Sequence, residues 1–253
     1  MNFLTIAKQE IKYVFQTAFG FAVFTIIFAL IGSYFFSALT GYLDLAYPKD
    51  NSVRIAGVSA YVHLTTIYLD NVKNILLMMV PIMTMRNFAE EKKQSTYDLL
   101  VSYPVKPWEI FIGKFLGQWV LLQGLLTCAF LFLSIVYWRG TLYLPQVFAV
   151  YLGYSLFFTV YVAFGVLMSL QTENQIVAAI LTYTLVAFAI LLQYMAFVLP
   201  DPWNRVFANF LLVAHLDTFQ KGIIFLGDVL SYLVLVILFL YLGIQKLGRH
   251  HYR

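Results

Sequence analysis

Arg86-Asn87-Phe88-Ala89-Glu90-Glu91-Lys92-Lys93-Gln94-Ser95-Thr96-Tyr97-Asp98-Leu99-Leu100-Val101-Ser102-Tyr103-Pro104-Val105-Lys106-Pro107 is the longest strongly charged interval of the sequence and lies between two very apolar blocks. It combines a dense cluster of both charge signs with a short helix-like segment that Pro104 closes, and Pro107 follows. A passive loop needs none of these features. The reading is a device held at a membrane surface, on which a partner protein acts.

The flanking blocks define the solvent. With 62% hydrophobic residues, 11% charged residues and a mean hydropathy of +0.81, the chain has far too little charge to coat a water-soluble globule, where about 25% charged is usual. The expectation is an all-α integral membrane protein. A transmembrane β-barrel would alternate apolar and polar residues, whereas these blocks are continuous, and helices are the other structure that satisfies backbone groups in lipid. The aromatic share of 18% suits spans anchored by rings at headgroup level.

Working outward, the N-terminal side of the stretch predicts three helices. Residues 1–18 place Phe3, Leu4, Ile6, Ala7, Ile11, Val14, Phe15 and Ala18 on one face and Thr5, Lys8, Gln9, Lys12 and Gln16 on the other, as in an amphipathic interfacial helix. No signal-peptide cleavage pattern follows, so the first span is expected to be retained. That span is 19–39, and 72–88 is the second, which Pro81 should kink. Between them, Gly41 to Asp70 reads as a partly helical outer connection, with His63 as an interfacial hydrogen-bonder. The methionines of span two read as core filler.

On the C-terminal side, spans are expected at 108–136, 145–170, 175–198 and 229–247. Lys114 stands near the inner end of the third and should snorkel to the interface. The short turn Gln171-Thr172-Glu173-Asn174 makes spans four and five antiparallel neighbours. Segment 206–226 carries His215, Asp217, Gln220 and Lys221, which would be costly in lipid, so it is read as an outer re-entrant or interfacial segment. Six spans put both termini on one side. Ten of the sixteen Lys and Arg residues (Lys8, Lys12, Arg86, Lys92, Lys93, Lys106, Lys114, Lys246, Arg249, Arg253) then fall on that side, which the positive-inside rule makes cytoplasmic.

Several functions are excluded or disfavoured. The basic residues form no stripe, so the net charge of +4 reflects topology and not nucleic acid. The single cysteine, Cys128, excludes an intrachain disulfide or a CxxC site. Ile112-Gly113-Lys114-Phe115 lacks the first glycine and the hydroxyl residue of a phosphate loop. HExxH, GxSxG and a carboxylate pair inside a span are all absent, which disfavours a hydrolase, and the centres of the expected spans carry no ionisable group for ion or proton coupling. The expectation is a non-catalytic chain that binds no cofactor or metal.

The quoted stretch, continued by Pro104-Val105-Lys106-Pro107-Trp108-Glu109-Ile110 and Gly113-Lys114, resembles the inner loop of ABC-2 type transporter permease subunits. Two positions depart from the family pattern: Ser95 replaces a glycine and Asp98 a glutamate. Glu173-Asn174-Gln175-Ile176 is similar to the family's short inner turn. His215-Leu216-Asp217-Thr218-Phe219-Gln220-Lys221-Gly222-Ile223, with Asp228 and Tyr232, is similar to the segment before its last span. The resemblance is closest to the small six-span permeases of the gliding-motility type.

The resemblance implies separate cytoplasmic ATPase subunits that hold ATP and Mg, and a second permease subunit, identical or different. It places a coupling helix at 95–101, with Tyr97, Leu99 and Leu100 as buried anchors of a partner contact. Glu90, Glu91, Lys92, Lys93, Ser95, Thr96 and Asp98 surround them, and Pro104 ends the helix. His215, Asp217, Lys221 and Asp228 are candidates for an outer gate or partner surface. The implied function is ATP-driven export of an amphipathic or lipid-linked cargo across a bacterial or archaeal inner membrane. A non-transporting scaffold of a motility or secretion complex and an ion-coupled carrier are the alternatives.

Overall fold

A computed structural model describes residues 3–46, 63–95, 105–137, 144–200 and 212–251. Among them the secondary structure is helical, without strands. Helix α1, Phe3–Gln16, is followed after one residue by α2, Ala18–Ala46. A π-helical turn, Leu64–Tyr68, leads into α3, Leu69–Thr84. The short α4, Ala89–Lys93, precedes α5, Pro107–Tyr137. Then come α6, Leu144–Ser169, α7, Gln175–Val198, α8, Leu212–Gln220, and α9, Leu226–His251.

Among the described residues five helices, α2, α5, α6, α7 and α9, are long and apolar enough to cross a bilayer. The expected second span, 72–88, is organised differently. Its α-helix runs from Leu69 to Thr84 and stops three residues after Pro81. At 16 residues it is about 24 Å long, and the π-turn before it extends the rod. Leu64 and Tyr68 of that turn are fully buried, and the Tyr68 hydroxyl donates to the Ala129 carbonyl of α5 at 3.0 Å. The segment just ahead of span two is therefore core. His63, read as an interfacial hydrogen-bonder, has its ring 6.0 Å from that of Tyr42.

Helix α6 is the centre of the bundle and touches α3, α5, α7, α8 and α9. Tyr154, Phe157, Phe158 and Tyr161 give it a fully buried aromatic spine. The outer surface is the reverse of a soluble protein: Phe21, Phe36, Ile180, Leu191, Val234 and Ile237 stand exposed on α2, α7 and α9, as a lipid-facing surface requires. Asn174 accepts a 2.9 Å bond from the Ile176 N–H and caps α7, which fixes the tight turn between α6 and α7.

Helix α1 lies against α5 and α2. Ile6 and Ala7 are buried, whereas Leu4 and Phe15 of the same apolar set are exposed. The apolar face is thus shared between protein and membrane interface. Gly113 and Gly117, one helical turn apart on α5, make the close approach possible. A Cβ at Gly113 would stand 2.8 Å from Ile6 Cβ, and one at Gly117 would stand 2.7 Å from Glu10 Cβ.

Candidate functional site

Three backbone groups decide how the charged stretch is held. Ser169, the last residue of α6 and fully buried, accepts from the Phe88 N–H at 2.9 Å and the Ala89 N–H at 3.2 Å. Its hydroxyl also lies 3.2 Å from the Met85 carbonyl, to which it donates. A helix start normally takes its cap from the residue just before it. Here the cap of α4 comes from a different helix, eighty residues downstream.

The charges of α4 then divide by direction. Lys92 Nζ donates to the Leu170 carbonyl at 2.7 Å, a cation at the C-terminal end of α6. Burial, and then the Lys246 ammonium, lower the Lys92 pKa. Lys246 itself bonds to Gln171 Oε1, which ties the end of α9 to the same turn. Glu91 turns the other way, to Lys114. Burial pushes the Glu91 carboxyl up, against the Lys114 ammonium that pulls it down. Glu90 accepts from the Tyr13 hydroxyl of α1 at 3.4 Å and from Gln94 at 3.3 Å, and Lys93 is exposed.

Lys114 is the hub. It does not snorkel: it is 2% exposed. Its ammonium donates to Glu10 Oε1 at 2.7 Å, to Glu91 Oε1 at 2.8 Å and to the Asn87 carbonyl at 2.8 Å. The ring of Phe88 lies 5.1 Å below it and is stacked in turn on Phe111 at 5.9 Å. A buried ammonium is stable only when paired and hydrogen-bonded, and three acceptors from three segments meet that demand. One turn further along α5, Gln118 Nε2 donates to Asn87 Oδ1 at 2.7 Å.

Sequence reasoning did not find Glu10, Asn87 or Gln118, and it placed Lys114 in the wrong environment. The available signal was a lone lysine in a 31-residue apolar helix, framed by Gly113 and Gly117. A charge there needs a partner, and the glycines mark where another helix comes close.

Ser95 closes α4. It has φ +57° and its N–H bonds to the Lys92 carbonyl at 3.2 Å. It therefore terminates α4 in the left-handed conformation that favours glycine; the coupling helix expected at 95–101 lies, beyond Ser95, outside the described residues. This explains the glycine in the pattern that the stretch resembles. Thr96, Tyr97, Asp98, Leu99, Leu100 and Pro104 lie outside the described residues.

On the opposite side of the bundle, two of the four outer candidates come together. His215 Nδ1 is 2.7 Å from Asp228 Oδ1, and Thr218 donates to the other oxygen of Asp228. Gln220 Nε2 donates to Asp70 at 3.1 Å and to the Tyr154 hydroxyl at 2.8 Å, and Asp70 pairs with Lys73 at 2.8 Å. Helix α8 is thereby fastened to α9, α3 and α6. Asp217 and Lys221 are exposed and stand outside these bonds. At nine residues, about 14 Å long, α8 is too short to cross; its neighbours 201–211 lie outside the described residues.

These features define a multi-pass helical membrane protein in which the described part of the charged stretch, residues 86–95, is locked into the bundle. The profile of the family described as ABC-2 family transporter protein matches residues 67–244. The chain belongs to this family, and is a membrane permease of the ABC-transporter class. No curated protein matches the sequence.

Proposed function

We propose that the chain is the non-catalytic transmembrane subunit of an ABC transporter, driven by separate cytoplasmic ATPase subunits that bind ATP and Mg. Two permease subunits, identical or different, enclose the pathway. Helix α3 with its π-turn is the sixth crossing, and both termini are cytoplasmic. The cargo is amphipathic or lipid-linked and is exported, as in permeases of the gliding-motility type.

The observation that carries this reading is the attachment of α4. Through Ser169, Lys92 and Lys114 the first half of the inner loop is joined to α6 and α5, and through Glu91 and Glu90 to Lys114 and α1. A push on residues 96–104, next to this anchor, has a stiff connection to the central helix. That is what a subunit without its own nucleotide site requires. Glu91 and Lys92 act within the chain, which leaves Tyr97, Leu99 and Leu100 as the anchors toward the ATPase.

The test is co-purification with candidate ATPase subunits, using wild type and a Tyr97→Ala, Leu100→Ala double variant. The variant is expected to lose the ATPase while eluting at the same position and melting at the same temperature as wild type. Undiminished association would overturn the coupling assignment. ATPase activity that ignores every amphiphile tested would favour the scaffold.

A further inference from the structure

A cavity of about 520 Å³ lies between α1, the start of α2, α3, α4 and α5. Its two halves differ in chemistry. One wall is apolar, with Val23, Phe24, Met79, Ile82 and Met83; the other carries charged and amide groups. The charged lining is balanced: Glu10, Glu90 and Glu91 against Lys12, Arg86 and Lys114. Asn87 and Gln118, 3% and 2% exposed, line the same cavity and bond to each other through one atom each. Asn87 Nδ2 and Gln118 Oε1 are left without a hydrogen-bond partner. Turning both amides over only exchanges the roles, so one donor and one acceptor always remain.

A buried amide group without a partner is costly, and this pair borders a ligand-sized space. The occupant has to be an amphiphile, because half of the wall is apolar. A head that is neutral overall, with one positive and one negative group, matches a lining in which three carboxylates and three cations cancel. It has to offer both a donor and an acceptor. We infer that the cavity holds one phospholipid of the inner leaflet with a phosphoethanolamine headgroup. Its phosphate accepts from the Asn87 side, its ammonium donates toward Gln118 and Glu90, and one acyl chain lies along Met79 and Met83. Phosphocholine lacks the N–H donor, and phosphoglycerol carries a net negative charge. The inference is independent of the ATPase partner.

Native mass spectrometry of the full chain in detergent tests it, with phosphatidylethanolamine, phosphatidylcholine and phosphatidylglycerol of identical chains added separately. One phosphatidylethanolamine per chain is expected, retained about ten-fold better than the other two, the scale of one well-made hydrogen bond to a charged group. Gln118→Leu should reduce its retention to the phosphatidylcholine level. Met83→Trp, which fills the apolar half without touching the amide pair, should abolish retention in a chain that still melts cooperatively, and it decides the matter if Gln118→Leu does not fold. Equal retention of the three lipids, or undiminished retention by Met83→Trp, would overturn the inference.

Discussion

Ser95 and Glu91 hold conformations or charges that their residue types resist. A left-handed backbone costs a non-glycine residue about 1 kcal/mol, and the φ of +57° at Ser95 carries that cost at the end of α4. Ser95→Gly is expected to raise stability by up to about 1 kcal/mol, read as a higher midpoint of thermal unfolding in detergent. A lower midpoint would show that the hydroxyl does something the turn needs. Glu91 is tested by pH. Its carboxyl is raised above the ordinary 4.5, first by burial. A group raised in the folded state stabilises most below its ordinary pKa, and that contribution is lost as pH rises through the raised value. Glu91→Gln keeps an acceptor for Lys114 and removes the titration. Relative to wild type it should therefore gain stability as pH is taken from about 4.5 toward neutral. A constant difference in melting temperature across that window would show that Glu91 does not titrate there.

At the scale of elements, the helices were legible in the sequence and their joints were not. Periodicity and length place Gln175–Val198 and Pro107–Tyr137, because continuous apolar runs of such length have one structure in lipid. The bond from Glu10 to Lys114 spans 104 residues and the cap from Ser169 to Phe88 spans 81; no local pattern encodes either. His215 and Asp228 enter as candidates through the resemblance, and Gln220 as one of the polar residues costly in lipid, but that Gln220 fastens α8 to α3 and α6 is not visible until Asp70 and Tyr154 are placed. The joint between α1 and α5 gives a direct prediction. Gly117→Leu would put a side chain where Glu10 Cβ already stands 2.7 Å from a bare Cβ, and overpacking of this kind costs about 1–3 kcal/mol. Helix α1 should lift from α5, and trypsin should cut after Lys8 and Lys12 several-fold faster, with the rest of the bundle intact. An unchanged rate would mean that α1 is held by the membrane and not by α5.

For the whole molecule, the question raised by the proposed function is how a push on the charged loop would reach the far side of the bundle. Helix α6 is in contact with α3, α5, α7, α8 and α9, and its C-terminal end grips the loop through Ser169 and the Leu170 carbonyl. Its N-terminal half receives Gln220 of α8 at Tyr154. A rigid helix fastened at both ends transmits displacement, and it does so only while its C-terminal fastening holds. Ser169→Ala leaves the Phe88 and Ala89 N–H groups and the Met85 carbonyl unsatisfied, at a cost of about 1–3 kcal/mol for the buried groups. The side chain is too deep to touch a partner, so binding of the ATPase should survive. Spin labels at Tyr194, exposed on α7, would measure the separation of the two proposed permease subunits. In wild type that separation should change when ATP is added. In Ser169→Ala the change should shrink by at least about half, the expected result of loosening a link of 1–3 kcal/mol, with the ATPase recovered in the same yield. If the full change persists, the motion travels by another route, and α6 is only the core on which the other helices pack.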